Sequence, residues 1–268
     1  MIKTIPVINN KGGVGKTTTT VNLAAGLGKM GKEVLVIDLD SQGSASFALG
    51  IERKDLNPST AMALFRNKKP EEIIRETSID SVDVMTGSLQ LADTDTHLAG
   101  ADRREHRLAD AISRIEDSYD AILIDCAPST SLLTINALVA ADAFIIPVSP
   151  SYLSLEGVAS LGQVVKKTRM SVGKAAPILG VVLTMVGDGH EETQAVKGAV
   201  REHYGGKVFK TEISRDPALE HAPTRSQSIF EYAPGSDGAQ EYWDLVQEVS
   251  NRMERYGAVY ERLNQGNG

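Results

Sequence analysis

The chemistry-bearing residues of this chain gather near its N-terminus, in Asn9-Asn10-Lys11-Gly12-Gly13-Val14-Gly15-Lys16-Thr17-Thr18. Glycines in such a run let backbone N–H groups turn inward onto phosphate oxygens, and a helix beginning just after them adds its positive dipole end. Lys16 is spaced to reach the β- and γ-phosphates of a nucleotide, and Thr17 to offer a hydroxyl to Mg2+. The general phosphate-loop pattern has Gly where this chain has Asn10, so the loop departs from it and adds a second lysine, Lys11. Two acidic positions complete the set. Asp125 ends the apolar run Ala121-Ile122-Leu123-Ile124, as expected of a carboxylate that holds Mg2+ directly or through water. Asp40, in Asp38-Leu39-Asp40-Ser41-Gln42-Gly43, follows another such run, where a carboxylate could orient an attacking water.

These groups need a scaffold. Short apolar runs at Ile5–Ile8, Val34–Ile37, Val82–Met85, Ala121–Ile124, Phe144–Ile146, Ile178–Leu183 and Val208–Ile213 alternate with segments of helical period. Several are apolar on both faces, which predicts buried parallel strands: an α/β fold with a mostly parallel twisted sheet and helices on both sides. Thr17–Met30 reads as a helix, and so does Arg104–Ser118, with Leu108, Ala111, Ile112 and Ile115 on one stripe. Arg103, Arg104 and Arg107 opposite that stripe are diluted by Glu105, Asp110 and Glu116, and read as a solvated face. No linker breaks the chain, so residues 1–263 form one domain and Asn264–Gly268 a flexible tail.

Composition bounds the function. With 268 residues, 41% of them hydrophobic, a substantial core can form and wholesale disorder is excluded. Asp and Glu outnumber Lys and Arg by 35 to 28, which argues against a protein that coats nucleic acid over its whole surface. The lone Cys126 excludes an internal disulfide and a multi-thiolate metal centre, and suits a reducing cytoplasm. Neither a signal peptide nor a membrane-spanning segment is expected, because Ala137–Val148, broken by Asp142, is too short to cross a bilayer.

With these motifs in hand, the chain resembles the ParA/MinD family of deviant Walker ATPases, most closely the ParA/Soj partition branch. The resemblance runs nearly end to end, through Lys11-Gly-Gly-Val-Gly-Lys-Thr-Thr18, Asp38-Leu-Asp-Ser-Gln-Gly43, Asp125-Cys-Ala-Pro-Ser129, Tyr152-Leu-Ser-Leu-Glu-Gly157, Phe230-Glu-Tyr-Ala-Pro234 and Gly238-Ala-Gln-Glu-Tyr242. It implies ATP and Mg2+ as cofactors, with Gly12, Gly13, Val14, Gly15, Lys16, Thr17 and Thr18 around the phosphates. Thr17, Asp40 and Asp125 would form the metal set, with Asp40 also positioning the hydrolytic water. Lys11 would cross to a second subunit's phosphates in an ATP-bound homodimer, with Glu156 also on the dimer face. A charge beside triphosphate gains most when a covering subunit excludes water. Met185, Ser214, Arg215 and Asp216 would form the adenine side. Ser41, Ala127 and Ser214 stand where relatives carry Pro, which changes loop stiffness.

The same resemblance implies DNA binding without sequence preference in the ATP state, a ParB-like or adaptor partner that stimulates hydrolysis, and a cytoplasmic, nucleoid-associated location. From Ser160 to Arg225 ten basic residues face seven acidic ones in a chain of net charge −7, so a basic face is favoured in this half. Family arginines are not reproduced around Met185–Glu191 and Pro217–Leu219, where His190 and Ala218 stand instead. Lys197, Arg201, Lys207, Lys210 and Arg225 are therefore the DNA candidates. A membrane-associated role like that of the MinD branch would need a basic amphipathic C-terminal helix. Asp244–Leu263 carries four acids against three arginines, and Trp243, Leu245, Val246 and Val249 read as packing residues, so no membrane partner is expected. A nucleotide-gated binding module with little turnover is the other alternative.

Overall fold

Each of the seven apolar runs becomes a strand in the computed structural model, which describes residues 2–66, 68–150, 152–187 and 191–265. Side chains of 66, 152–159, 191–192 and 257–265 lie outside that description. The strands are β1 (Thr4–Val7), β2 (Val34–Leu39), β3 (Ile74–Glu76), β4 (Val82–Met85), β5 (Ala121–Cys126), β6 (Phe144–Val148), β7 (Ile178–Val186) and β8 (Val208–Ser214). They lie in the order β3-β4-β2-β5-β1-β6-β7-β8. All neighbours are parallel except β3 against β4. β3 adds a strand to the seven expected: three residues, two of them charged, at a sheet edge give no hydrophobic period.

The helices are α1 (Lys16–Lys29), α2 (Ser44–Ala48), α3 (Thr60–Arg66), α4 (Thr94–His97), α5 (Arg107–Ile112), α6 (Leu132–Ala140), α7 (Tyr152–Val172), α8 (Glu191–Tyr204), α9 (Pro217–His221), α10 (Ile229–Tyr232) and α11 (Asp237–Gln265). Strand side chains alternate between two cores. Val34 and Val36 of β2 and Leu123 of β5 pack with α1, α10 and α11. Leu35, Ile37, Ile122 and Ile124 pack on the other face with α3, α5, α6 and α8.

Two helix expectations change. The segment expected to be helical over Arg104–Ser118 contains only α5 and a short 3-10 turn at Glu116–Ser118. Its Leu108, Ala111, Ile112 and Ile115 stripe is buried as expected. The helix starts late because Asn136 of α6 takes over its backbone partners: Nδ2 donates to the Arg104 carbonyl at 2.9 Å, and Oδ1 accepts the Leu108 N–H at 3.1 Å. Arg103 and Arg104 make ion pairs with Asp110 and Glu105, as a solvated face should. At the C-terminus, α11 continues through Asn264 and Gln265, the first two residues of the expected tail; Gly266, Asn267 and Gly268 lie outside the described residues.

α11 closes the β8 edge, whose pairing with β7 is irregular. The Glu248 carboxylate accepts the N–H groups of Lys210 and Thr211 at 2.9 and 3.0 Å. Arg252 donates to the carbonyls of Leu179, Lys207 and Val208, and stacks 4.0 Å above the Phe209 ring. Side chains thus supply the bonds a further strand would have made. Underneath, α11 presses on α1 so closely that a Cβ on Gly26 would overlap Val246. Gly26→Ala should therefore destabilise the fold by ~1–3 kcal/mol, since helix propensity gains less than overpacking loses. Urea unfolding measures the loss, and adding Val246→Ala should recover part of it.

Candidate functional site

The parallel sheet brings the sequence-predicted residues to one end. Register aligns Val7 of β1, Asp125 of β5 and Asp38 of β2 across three adjacent strands, so the loops that follow β1 and β2 open on the same crevice as Asp125. The glycine-rich loop leaves β1 and enters α1 through Gly13 and Gly15, both left-handed (φ 68° and 79°), a conformation that side chains with a Cβ rarely adopt. Around Gly12 and Gly13 a Cβ would meet nothing within 4 Å, so the backbone borders open space wide enough for phosphate. Asn9 braces the loop, donating to the Pro147 carbonyl at 2.7 Å and accepting the Lys11 N–H at 3.0 Å. Thr184 holds the other side through the Val14 carbonyl.

Lys16 is nearly buried, and its ammonium donates to the Lys11 carbonyl at 2.8 Å. Burial lowers its pKa; Asp125 and, more weakly, Asp40 oppose that shift. The Thr17 hydroxyl donates to Asp125 Oδ2 at 2.7 Å, and Thr20 donates to Oδ1 at 3.3 Å. Burial, reinforced by Asp38, pushes the Asp125 carboxyl up to about 8. A hydroxyl and a carboxylate at this separation are hard oxygen donors, of the kind Mg2+ takes in ones and twos beside phosphate oxygens. The residues fit that ion. Cys126, buried beside them, has its thiol pushed up by burial and then by Asp125, and is no nucleophile.

Asp38, which the sequence marks only as Asp40's neighbour, organises the second loop. One carboxylate oxygen accepts the Asp40 N–H at 3.0 Å; the other accepts the Ser46 N–H and hydroxyl at 2.9 and 2.7 Å. Ser46 in turn accepts the Gly87 N–H. Burial raises Asp38 to about 6 despite these bonds. Asp40 itself is half-buried, and its Oδ1 accepts the Gln42 N–H at 2.9 Å. Sequence reasoning misses Asp38, Ser46 and Thr184 as positioning groups, because only tertiary register brings them to the loops.

Beyond the glycine loop lies a cavity of about 380 Å³, bordered by Gly15 and Thr18. Met185, Ser214, Arg215 and Asp216, the residues expected on the adenine side, all line it, joined by Ile213, Leu219 and Tyr242. Ser214 is fixed by Glu241 of α11 through its N–H and hydroxyl, each 2.8 Å from the carboxylate. The Asp216 carboxylate is engaged elsewhere: it caps α9 through the Ala218 N–H and accepts the Gly238 N–H.

The five cationic candidates divide. Lys197 and Arg201 converge on Glu212 at 2.6 and 2.7 Å, and the Lys197 side chain is only 15% exposed. Burial works to raise Glu212, but the two cations outweigh it and leave its pKa lowered. Lys197 and Arg201 are thus held as an intramolecular ion-pair group, contrary to the expectation of a free phosphate-binding face. Lys207, Lys210 and Arg225 are exposed. The Glu156 side chain and His190 lie outside the described residues.

The raised carboxyls set a pH dependence. Below the unfolded value near 4, folded and unfolded chains are both protonated. Above it, the unfolded chain has released protons that Asp38 and Asp125 still hold, so stability of the nucleotide-free protein should fall as pH rises, levelling above about 8. Asp125→Asn should flatten that slope and raise stability at pH 7.5 by on the order of 1–3 kcal/mol. Urea unfolding across pH 5–9 measures both.

A family model described as an AAA domain matches residues 2–176. The sporulation initiation inhibitor protein Soj of Bacillus subtilis is 40% identical over 250 residues, covering 93% of this chain and 99% of Soj. Among solved structures, cobyrinic acid a,c-diamide synthase from Mycobacterium smegmatis with bound ADP and magnesium superposes with a TM-score of 0.79 at 27% identity, over 92% of this chain and 93% of that one. The septum site-determining protein MinD of Pyrococcus horikoshii, complexed with Mg-ADP, gives 0.75 at 28% identity, over 93% and 96%. Glycine loop, paired strand-end acids and a relative matched along nearly its whole length agree, and the chain belongs to the ParA/MinD family of deviant Walker ATPases, in its ParA/Soj chromosome-partitioning branch.

Proposed function

We propose that this chain is an ATP-hydrolysing switch whose ATP-bound form pairs with a second copy and binds DNA without sequence preference, positioning DNA or another large cargo. The observation that carries this reading is the convergence of Lys16, Thr17, Asp125 and Asp40 at one end of the sheet, with Lys11 in the same glycine loop. Lys16 and the loop N–H groups bind the triphosphate, and the cavity beside Met185 and Tyr242 takes the base. Thr17 and Asp125 would hold Mg2+, which when bound would supply neutralisation of the phosphate charge. Asp40, held by the Asp38 carboxylate, orients water for in-line attack. Lys11 reaches across to the phosphates of the second copy, so hydrolysis removes the charge that holds the pair together. A ParB-like or adaptor partner would accelerate that step and return the protein from the nucleoid to the cytoplasm.

The location of the cations favours Lys207, Lys210 and Arg225 for phosphate contact, since Glu212 already holds Lys197 and Arg201. The MinD-like membrane alternative is weakened by α11, whose Leu245, Val246, Val249 and Met253 are buried in the protein core. Among the described residues no helix is long and apolar enough to cross a membrane.

Three variants separate the roles. Lys16→Ala should lose nucleotide, Asp40→Ala should hold the ATP dimer without turnover, and Lys11→Ala should bind ATP but stay monomeric. Light scattering that finds a stable Lys11→Ala dimer in ATP would remove the cross-subunit role. For DNA, Asp40→Ala protein loaded with ATP or ADP is titrated across a salt series. ATP-only binding that falls steeply with salt is expected, and Lys210→Ala should lower the log–log slope by about 1 per subunit. A dimer indifferent to DNA would leave the ATPase and refute the DNA role.

A further inference from the structure

The loop carrying Asp40 is tied from two sides, and the outer tie belongs to a residue with no counterpart in the motifs. From inside, Asp38 Oδ1 accepts the Asp40 N–H, and Asp40 Oδ1 accepts the Gln42 N–H. From outside, Arg53 Nη1 donates to the Gln42 carbonyl at 3.1 Å. The Arg53 guanidinium is itself placed by the Phe47 ring of α2, 5.1 Å from the centroid. Gly43, next in the loop, is left-handed (φ 62°), so the chain turns sharply between the tie and α2. Arg53 also lines a cavity of about 340 Å³ whose other walls include Thr17 and Thr18 of the phosphate loop. One planar cation therefore joins the Asp40 loop to α2 and faces a cavity that the phosphate loop also borders.

We propose that Arg53 is a positioning residue for Asp40: by clamping the Gln42 carbonyl, it fixes the Gln42–Gly43 peptide, whose N–H donates to the Asp40 main-chain carbonyl at 3.0 Å, and so holds the turn in which the Gln42 N–H meets the Asp40 carboxylate. It touches neither phosphate nor water and acts only through the loop. A stacked guanidinium suits this task because its fork is held in plane while one N–H is spent on the carbonyl. Small displacements of a water-orienting carboxylate cost rate without weakening nucleotide binding. The inference rests on the role proposed above for Asp40.

The test is steady-state ATP hydrolysis by the full chain, with ADP affinity and the ATP-dimer fraction measured in parallel. Arg53→Ala should reduce kcat by ~10-fold with KM and ADP affinity within about twofold of wild type. Arg53→Lys, which keeps a donor but not the planar stack, should fall between the two. Because Arg53 is exposed, the melting temperature should be nearly unchanged. An Arg53→Ala enzyme with wild-type kcat, a loss carried by KM or by the dimer fraction, or a lysine variant no better than alanine would each overturn the proposal. Asp40→Ala in the same assay separates the two readings. If it is inert while Arg53→Ala is normal, only the clamp fails; if it hydrolyses ATP at the wild-type rate, the role of Asp40 fails and the clamp with it.

Discussion

Two carboxylates, Asp38 and Asp125, stand in register at the ends of neighbouring parallel strands, both essentially out of water. Burial raises both carboxyls, and at Asp125 the charge of Asp38 adds to the rise. The surroundings are arranged around that constraint. Asp38 is quenched by backbone and hydroxyl donors from Asp40 and Ser46, while Asp125 leans on Thr17, Thr20 and the Lys16 ammonium. The outcome is a difference between chemically identical groups: one acid spends its lone pairs shaping a loop, and the other meets the Thr17 and Thr20 hydroxyls beside the glycine loop.

The constraint reaches the rest of the molecule through α1 and α11. α1 begins where the phosphate loop ends, so its placement fixes where Lys16 and Thr17 point. Against its other side lies α11, close enough that Gly26 admits no side chain, with Tyr242 and Thr19 joined by their hydroxyls. The same helix supplies Glu241 to the loop lining the base-side cavity, and Glu248 and Arg252 to the β8 edge. One long helix thus sets the phosphate loop, the base-side wall and the sheet edge together. A membrane-docking use of that helix would compete with this packing through Met253, since its apolar residues up to there are buried in the core.

Part of the site is legible in local runs of residues. Lys11, Lys16, Thr17, Asp40 and Asp125 are marked in this way, because a glycine loop and a strand-end acid are properties of a few consecutive positions. The residues that the resemblance assigns to the base, Met185, Ser214, Arg215 and Asp216, line one cavity. Yet the Asp216 carboxylate is consumed as a helix cap, which no residue count reveals. Charge counting fares worse. Lys197 and Arg201 raise the basic tally of their segment, but the count does not show that both share Glu212 of β8, a group left with one net positive charge.

What the sequence determined by itself is the scaffold and the reaction class. Doubly apolar runs spaced by helices can bury their backbone only as an α/β sheet, and a phosphate loop followed by two strand-end acids has one evident chemistry. The tertiary structure decided which acid shapes the loop and which meets Thr17, why the Arg104 segment starts its helix late, and which cations share Glu212. Those outcomes turn on hydrogen bonds and ion pairs between residues far apart in the chain, such as Asn136 to Arg104, Glu212 to Lys197 and Asp38 to Ser46. Their energies depend on distance and burial, and neither quantity exists until the chain has folded.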